Sequence, residues 1–481
     1  MNNKTISQFF DIADENSTII DMRIEGGTKF IVLEKNLDHN RLCPLCGHKL
    51  HSKGKFTRHP NNQILQDGYT LDLTLIGRRW KCTNPECSHT CSDQFDFVEK
   101  RKRNTQIIIY LILFELKDIQ LSCRQVARRF NVSDTYVHQQ FMRYINIPRK
   151  KLTKYICIDE VYLNTAPDCK YAMVIMDFIT GDVLDIIRSR RKTVTESYFL
   201  SIPREERAQV EFLCCDMYQP YIKYTSGFLW NARPCIDSFH VLKWLLNLIN
   251  NYIITVRKRY QKRDRELLKE KNLKSNKDYK TMEESREVYI LRKASWVLLR
   301  NPSNWFYVEP RYNTKLRRYM DTYDWEREFL ALDENFTAIR NLKDLYEEFN
   351  ENFVNDLDGA AKRLDELIEI YSQSNIYIFR QFADLLKKFH DPIVNSFTYA
   401  KSEEIPEAAL RRLSNGPLES FNNIPSALRS QSHGISNFEF ARNRMLWTIR
   451  EDAAIRFHPR SDEDIHTTGK KRGPYKNKNN I

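Results

Sequence analysis

Glycine and proline are scarce in this chain, which has only 13 and 16 of them among its 481 residues. Such a composition argues against long disordered or fibrous stretches. No uninterrupted apolar run approaches the roughly 18 to 20 residues of a membrane-spanning helix, and the polar start MNNKTISQFFDIADENS lacks the apolar region of a signal peptide. No internal repeat is visible. We therefore expect a folded, cytoplasmic protein without membrane partners.

What the chain has in excess is positive charge. Its formal net charge is +13 and its pI is about 9.1, which favours a polyanionic partner such as nucleic acid. The charge is uneven, since residues 100–150 hold 11 Lys or Arg against three acids. At 481 residues the chain is too long for one ordinary core, so we expect several domains.

Eleven cysteines in a reducing compartment are expected to be thiols or metal ligands. A CxxCG knuckle, Cys43-Pro-Leu-Cys46-Gly, is followed by a second pair, Cys82 and Cys87. Two such pairs can supply the four ligands of tetrahedral Zn²⁺, so we predict a structural zinc module over 41–98. Cys87 is the least certain ligand, and the residues that could replace one of the four are Cys91, His48, His51 and His89.

The basic stretch predicts a helix-turn-helix domain over 104–150. Val126, Ala127 and Phe130 form one apolar helix face, and Ser133 is placed to cap a second helix. A helical pair without DNA contacts is the alternative, against which only the flanking charge argues. The predicted DNA-binding residues are Arg124, Arg128, Arg129, Ser133, Thr135, Tyr136, His138, Gln139 and Arg143.

The pattern of the remaining sequence predicts an α/β domain that is interrupted by a series of helices. Short β-branched and aromatic runs fill 151–240, helical periodicity dominates 241–410, and a further helical segment covers 411–458. The segment 1–40 is expected to be a leader with a hairpin that turns at Gly26-Gly27. The basic segment 459–481 is expected to be disordered.

Three acids stand where metal-dependent chemistry would use them. Asp159 and Asp216 each end an apolar strand, and Glu419 starts a helix after the turn at 414–417. Carboxylates are the ligands that Mg²⁺ and Mn²⁺ prefer, and acids at the ends of adjacent strands can converge on two ions. Asp237 also ends a strand and has His240 nearby, which makes it the rival of Asp216.

These motifs together resemble the DDE-type insertion-sequence transposases of the ISL3 kind. The match runs from about Leu42 to Ile455, and its ordered motifs are CPLCG, RRWKC, the helix-turn-helix, YICIDEVYL, CCDMYQPYI, CIDSFHVLKWL, SNGPLESFNN and HGISNFEFARNRML.

The resemblance implies an RNase H-like mixed-sheet catalytic core with a long all-helical insertion. It places the catalytic acids on Asp159, Asp216 and Glu419, with Asp237 and His240 supporting them. A homodimer associated with the bacterial nucleoid would bind double-stranded terminal inverted repeats, cut the ends with two Mg²⁺ or Mn²⁺ ions, and join the 3′-hydroxyl to target DNA.

Two other readings remain open at this point. The chain could be a catalytically inactive DNA-binding regulator derived from a transposase, or an RNase H-like structure-specific nuclease. In the transposase reading, Arg429, Arg442 and Arg444 are expected to contact backbone phosphates.

Overall fold

The computed structural model describes residues 12, 14, 16–61, 63, 64, 68–98, 102–166, 169–270, 284–403, 407–432, 435 and 437–465. The chain forms two compact units. The first contains residues 1–148, 163–167 and 423–481, and the second contains 149–162 and 168–422. Most of the leader before Ser17 and most of the basic tail, from 466 onward, lie outside the described residues.

The first unit begins with a six-stranded sheet. Its strands are β1 (Ser17–Glu25), β2 (Thr28–Lys35), β3 (Leu50–Arg58), β4 (Gln63–Ile64), β5 (Thr70–Cys82) and β6 (Thr90–Ser92). β1 and β2 form the expected hairpin, in which Gly26 and Gly27 both have positive φ, of 53° and 78°. A two-residue turn of that kind matches the twist of the strands and favours glycine. β5 pairs with every other strand except β1.

Three helices follow the sheet: α1 (Gln106–Glu115), α2 (Cys123–Arg129) and α3 (Asp134–Tyr144). Ser122 and Gln125 form a capping box at the start of α2. The Ser133 hydroxyl accepts a hydrogen bond from the Tyr136 amide at 3.1 Å, as an N-cap should. Val126, Val137 and Phe141 are buried between the helices.

The second unit is built on a five-stranded sheet in the order β11-β10-β7-β8-β9. Its strands are β7 (Tyr155–Ala166), β8 (Cys169–Asp177), β9 (Val183–Ile187), β10 (Phe212–Cys215) and β11 (Arg233–Ile236). Its connecting helices are α4 (Lys192–Ser201), α5 (Arg204–Ala208) and α6 (Gln219–Gly227). β10 runs parallel to both β7 and β11, while β8 and β9 are antiparallel.

A long insertion follows β11 and has a core of its own. Its helices are α7 (Ser238–Glu270), α8 (Arg286–Lys293), α9 (Trp296–Leu299), α10 (Thr322–Leu330), α11 (Phe336–Glu351), α12 (Leu357–Ser372), α13 (Tyr377–Lys388) and α14 (His390–Asn395). Leu245, Phe336, Leu364 and Phe382 are among the buried apolar residues that these helices share.

The expectation that this insertion is all-helical is wrong. It contains a hairpin of β12 (Arg311–Asn313) and β13 (Arg318–Met320). The Asn313 side chain accepts a hydrogen bond from the Leu316 amide at 2.9 Å, and Arg317 has φ of 52°. An asparagine that bonds to the backbone ahead of it stabilises a turn and competes with helix formation, so the helical pattern is broken here.

After the insertion, β14 (Tyr399–Ala400) pairs with β15 (Arg411–Arg412), and α15 (Gly416–Phe421) follows. The last helices, α16 (Asn423–Ser432), α17 (Phe438–Ile449) and α18 (Asp462–Ile465), belong to the first unit. The segment 411–458, which the sequence groups with the catalytic core, is thus divided after Asn422.

Two side chains of α17 attach it to α1 and the loop after it. The Trp447 indole donates to the Leu113 carbonyl at 2.8 Å. Arg444 is only 1% exposed and donates to the carbonyls of Leu116, Asp118 and Leu121. The expectation that Arg444 contacts DNA phosphates is therefore wrong, because its guanidinium is used inside the protein. No helix in the described part of the chain is long and apolar enough to cross a membrane.

Removing the Arg444 guanidinium should destabilise the first unit. Arg444→Ala leaves buried carbonyls without donors, so we expect the free energy of unfolding to fall by about 3–5 kcal/mol, measured by urea denaturation. Arg124→Ala is the matched control, because Arg124 is exposed on the neighbouring helix. Equal stability of the two variants would contradict the role given to Arg444.

Candidate functional site

Three aspartates lie in one row on neighbouring strands of the second unit: Asp159 within β7, Asp216 directly after β10 and Asp237 directly after the edge strand β11. Cys214 of β10 is in register with Cys157 of β7 and with Cys235 of β11. Continuing that register by two residues aligns Asp216 with Asp159 on one side and with Asp237 on the other. Because the strands are parallel and side chains alternate between faces, the three carboxylates emerge at the same end and on the same face.

Asp216 is held by two partners. Its Oδ1 lies 3.0 Å from Nε2 of His240, a residue of α7, and 3.4 Å from the side-chain nitrogen Nδ2 of Asn415. The hydrogen bond to Asp216 raises the pKa of His240 above its usual value, despite partial burial that works in the opposite direction. The imidazole thus carries its proton more readily and balances the Asp216 charge.

Asp159 is the more enclosed of this pair. Burial raises the pKa of its carboxyl group, and the nearby Asp216 charge raises it further. Its Oδ1 accepts from the Glu160 amide at 2.7 Å and its Oδ2 accepts from the Asn422 side chain at 3.4 Å. A buried carboxylate with a raised pKa beside a second carboxylate is a common arrangement in sites that bind a divalent cation.

Both carboxylate oxygens of Asp237 accept hydrogen bonds from backbone amides. Asp237 is only 3% exposed, and its two oxygens accept from the amides of Phe239 and Asn415, each at 2.9 Å. With both oxygens used in this way, Asp237 is placed to hold the start of α15 against the sheet. Asp216 keeps a more exposed carboxylate, so the geometry favours Asp216 over Asp237 as a metal ligand.

Glu419 lies on α15, between the two amide side chains that contact the aspartates. Asn415, Glu419 and Asn422 are spaced by four and three residues, which places them along one stripe of a helical segment. The Glu419 side chain is exposed. The carboxylates of Asp159, Asp216 and Glu419 do not all lie within 4.8 Å of one another. Among the described residues, only a group of four cysteines meets that distance.

The sequence motifs did not identify the side-chain amides of Asn415 and Asn422 as part of the site. Each presents a buried Oδ1 without a hydrogen-bond partner in the described part of the chain, and such an oxygen is costly unless something else satisfies it. Oxygen donors beside two carboxylates suit a hard divalent cation. Their spacing around Glu419, in SNGPLESFNN, was the signal that could have identified them.

The four cysteines singled out by spacing meet in the first unit. The Sγ atoms of Cys43, Cys46, Cys82 and Cys87 all lie within 4.8 Å of one another. The knuckle and the end of β5 bring them together, and Cys91 packs against the cluster without joining it. A backbone hydrogen bond at His48 is the largest contribution that lowers the pKa of the Cys46 thiol, to about 6. The thiolate is the form that binds metal.

The predicted DNA-binding residues differ in their exposure and in their contacts within the protein. Arg124, Arg128 and Thr135 are exposed, and Gln139 is partly exposed. Arg129 pairs with Glu115, and Arg143 donates to the Arg460 carbonyl at 3.3 Å. The His138 ring stacks on Phe440 with centroids 4.4 Å apart. Ser133 and Tyr136 meet in the N-cap contact described above. A groove of about 530 Å³ lies beside α2 and α3 and is lined by residues including Arg124, Arg128 and Asn437.

The chain matches a known family. A family model of DDE transposases of the ISL3 kind, described as transposase, matches residues 156–445. That range is more than half of the chain and contains Asp159, Asp216 and Glu419. No curated protein matches the chain.

Asn415 should contribute to stability through its buried contacts. Asn415→Ala removes the donor to the Ile158 carbonyl and to Asp216, so we expect a loss of about 1–3 kcal/mol in the free energy of unfolding. Chemical denaturation of the full chain measures this loss. Asn251→Ala, at an exposed position of α7, is the control; a loss no larger than that of the control would count against the Asn415 contacts.

Proposed function

Because the chain belongs to the DDE transposases of the ISL3 kind and its substrate is therefore DNA, we propose that it binds insertion-sequence terminal repeats, cuts their ends and joins the 3′-hydroxyl to target DNA. The single observation that supports this best is the register that aligns Asp159 with Asp216 on adjacent parallel strands. The helix carrying Glu419 is tied to both aspartates by Asn415 and Asn422.

We propose that the five-stranded sheet is an RNase H-like core. Three strands that follow one another in the chain lie side by side as β7-β8-β9, and β10 and β11 are added in order on the other side of β7. This order puts the first and fourth strands, which carry Asp159 and Asp216, next to each other at the centre. The helical insertion enters directly after the fifth strand.

In this proposal Asp159, Asp216 and Glu419 hold two Mg²⁺ or Mn²⁺ ions. Such ions, when bound, activate the attacking oxygen and stabilise the leaving oxygen of a phosphodiester exchange. His240 and Asn415 orient the Asp216 carboxylate, and Asn422 orients that of Asp159. No side chain among the described residues pairs with Glu419, and its exposure lets DNA and the ions reach it.

The first unit is proposed to recognise DNA. Arg124, Arg128 and Thr135 are exposed on α2 and α3, as residues of a recognition surface must be. Arg129, Arg143 and His138 have partners within the protein and would contribute less. We further propose that Cys43, Cys46, Cys82 and Cys87 hold a structural Zn²⁺, and that two copies act together on two ends.

Removing the negative charge of Asp216 should abolish DNA cleavage while leaving DNA binding intact. With Asp216→Asn we expect terminal DNA to bind as in the wild type, whereas Mg²⁺-dependent nicking and strand transfer fall by at least about 1000-fold, since the carboxylate ligand is lost. Denaturing gels of labelled element ends measure both reactions. Asp391→Asn, at an exposed acid of the same unit, should be fully active.

The outcome of that assay also decides between functions. Full activity of Asp216→Asn discards the assignment. Wild-type protein that binds ends but never nicks them is a regulator, and wild-type protein that cuts branched DNA without joining ends is a structure-specific nuclease.

Zinc content tests the cysteine cluster. The wild type should contain one zinc ion per chain by elemental analysis, and Cys82→Ser should lose it and unfold the module, because a structural zinc site supplies folding free energy. Cys91→Ser is the matched control and should retain zinc. Loss of zinc in Cys91→Ser alone would show that the ligand set is wrong.

A further inference from the structure

An aromatic surface stands on the insertion of the second unit. Tyr312 and Tyr319 face each other across the β12–β13 hairpin, with ring centroids 5.5 Å apart, and both are exposed. Phe306, just before the hairpin, is 84% exposed, and Tyr307 and Tyr323 are exposed with their centroids 6.0 Å apart. Exposed rings in one contiguous segment are costly in water unless they serve a partner.

Beneath this surface lies a cavity of about 380 Å³. Trp296, Trp305 and Trp325 line it, together with Phe306 and Tyr312. The Trp296 and Trp305 rings stand nearly perpendicular with centroids 4.9 Å apart. The Trp305 Nε1 is buried without a hydrogen-bond partner. The volume lies in the lower part of the range of about 300–1000 Å³ for ligand pockets, and the aromatic walls suit a flat ring.

The cavity rim is held in place before any ligand arrives. The Thr322 hydroxyl accepts from the Val308 amide at 2.9 Å and donates to the Phe306 carbonyl at 3.2 Å. The Asn313 amide donates to the Tyr289 hydroxyl at 3.1 Å. A surface that is already ordered loses less entropy on binding.

Cations outnumber acids near these rings. Residues 306–323 contain four Lys or Arg and two acids, Glu309 and Asp321, and Arg318 is paired with Glu328. Arg300 and Arg311 line the cavity, and both are exposed, as is Arg317. None of these three arginines has an ion pair with a described residue. Rings interleaved with unpaired cations are typical of surfaces that bind single-stranded nucleic acid, because bases stack on the rings while phosphates pair with the cations.

We propose that the β12–β13 hairpin and the cavity beneath it bind unpaired nucleotides of single-stranded DNA. Tyr312, Tyr319 and Phe306 stack on bases, the tryptophan-lined cavity receives one base, and Arg300, Arg311 and Arg317 contact phosphates. Duplex DNA offers no free base faces, so this site distinguishes opened DNA from paired DNA. The inference rests on the proposed function, because an enzyme that cuts and rejoins ends produces unpaired nucleotides there.

Fluorescence anisotropy with the full-length protein tests the site. The probes are a labelled oligothymidylate of about 20 nucleotides, longer than usual single-strand sites of about 4 to 16, the same strand with abasic residues, and a duplex of the same length. We expect Tyr312→Ala with Tyr319→Ala to weaken oligothymidylate binding about 5- to 150-fold, as stacking losses do, with duplex binding unchanged.

Two controls make the result specific. Tyr312→Phe keeps the ring and should bind as the wild type does. Phe457→Ala removes an equally exposed ring, 88% exposed, from the other unit and should have no effect. The abasic strand should bind the wild type at least as weakly as oligothymidylate binds the double variant, which keeps Phe306 and the cavity.

Oligothymidylate affinity that is unchanged in the double variant overturns the proposal, as does equal affinity for the abasic strand. Loss of duplex binding by the same factor also overturns it, because the residues would then act on phosphates alone. Nicking of duplex ends by the wild type is measured separately. If nicking persists while the hairpin substitutions change nothing, only this inference falls; if nicking is absent, the proposed function falls whether or not oligothymidylate binds.

Discussion

The structure of the second unit depends on one constraint, which is the parallel register of β10 with β7 and β11. That register puts three aspartates in a row, and like charges side by side would repel each other unless each were compensated. The compensation differs by position. Asp237 accepts two backbone amides, Asp216 meets His240, and Asp159 keeps a raised pKa and the contacts of Glu160 and Asn422.

The insertion, of about 160 residues, separates the three aspartates from Glu419, so the chain after it must return to the end of the sheet where the aspartates lie. It returns through β15, where Arg412 donates to the Ser396 and Asn350 oxygens and its guanidinium lies over Phe397 at 3.8 Å. The Cys157 thiol then donates to the Ser414 carbonyl at 3.2 Å, next to Asn415. A short helix anchored in this way can present Glu419 to the aspartates without burying it.

The segment SNGPLESFNN passes from the second compact unit into the first after Asn422. Not every arginine of α2 and α3 is a free cation, since Arg129 has a carboxylate partner and Arg143 a carbonyl partner. Arg444 is the clearest case, because its buried guanidinium donates to backbone carbonyls and so holds α17 in place.

The sequence by itself determined the local elements and the groups of residues that chemistry requires. Two cysteine pairs, the aspartate directly after β10 and a glycine-glycine hairpin are readable because each depends on spacing within a few residues. The expectation that Asp159 ends its strand is wrong, because β7 continues to Ala166. Only the tertiary structure decided which groups meet. Backbone hydrogen bonds to Asp237 distinguish it from Asp216, long-range packing buries Arg444, and the hydrogen bond from the Leu316 amide to the Asn313 side chain stabilises a hairpin where a helix was expected. Those outcomes arise from contacts between residues far apart in the chain, whose energies no local pattern contains.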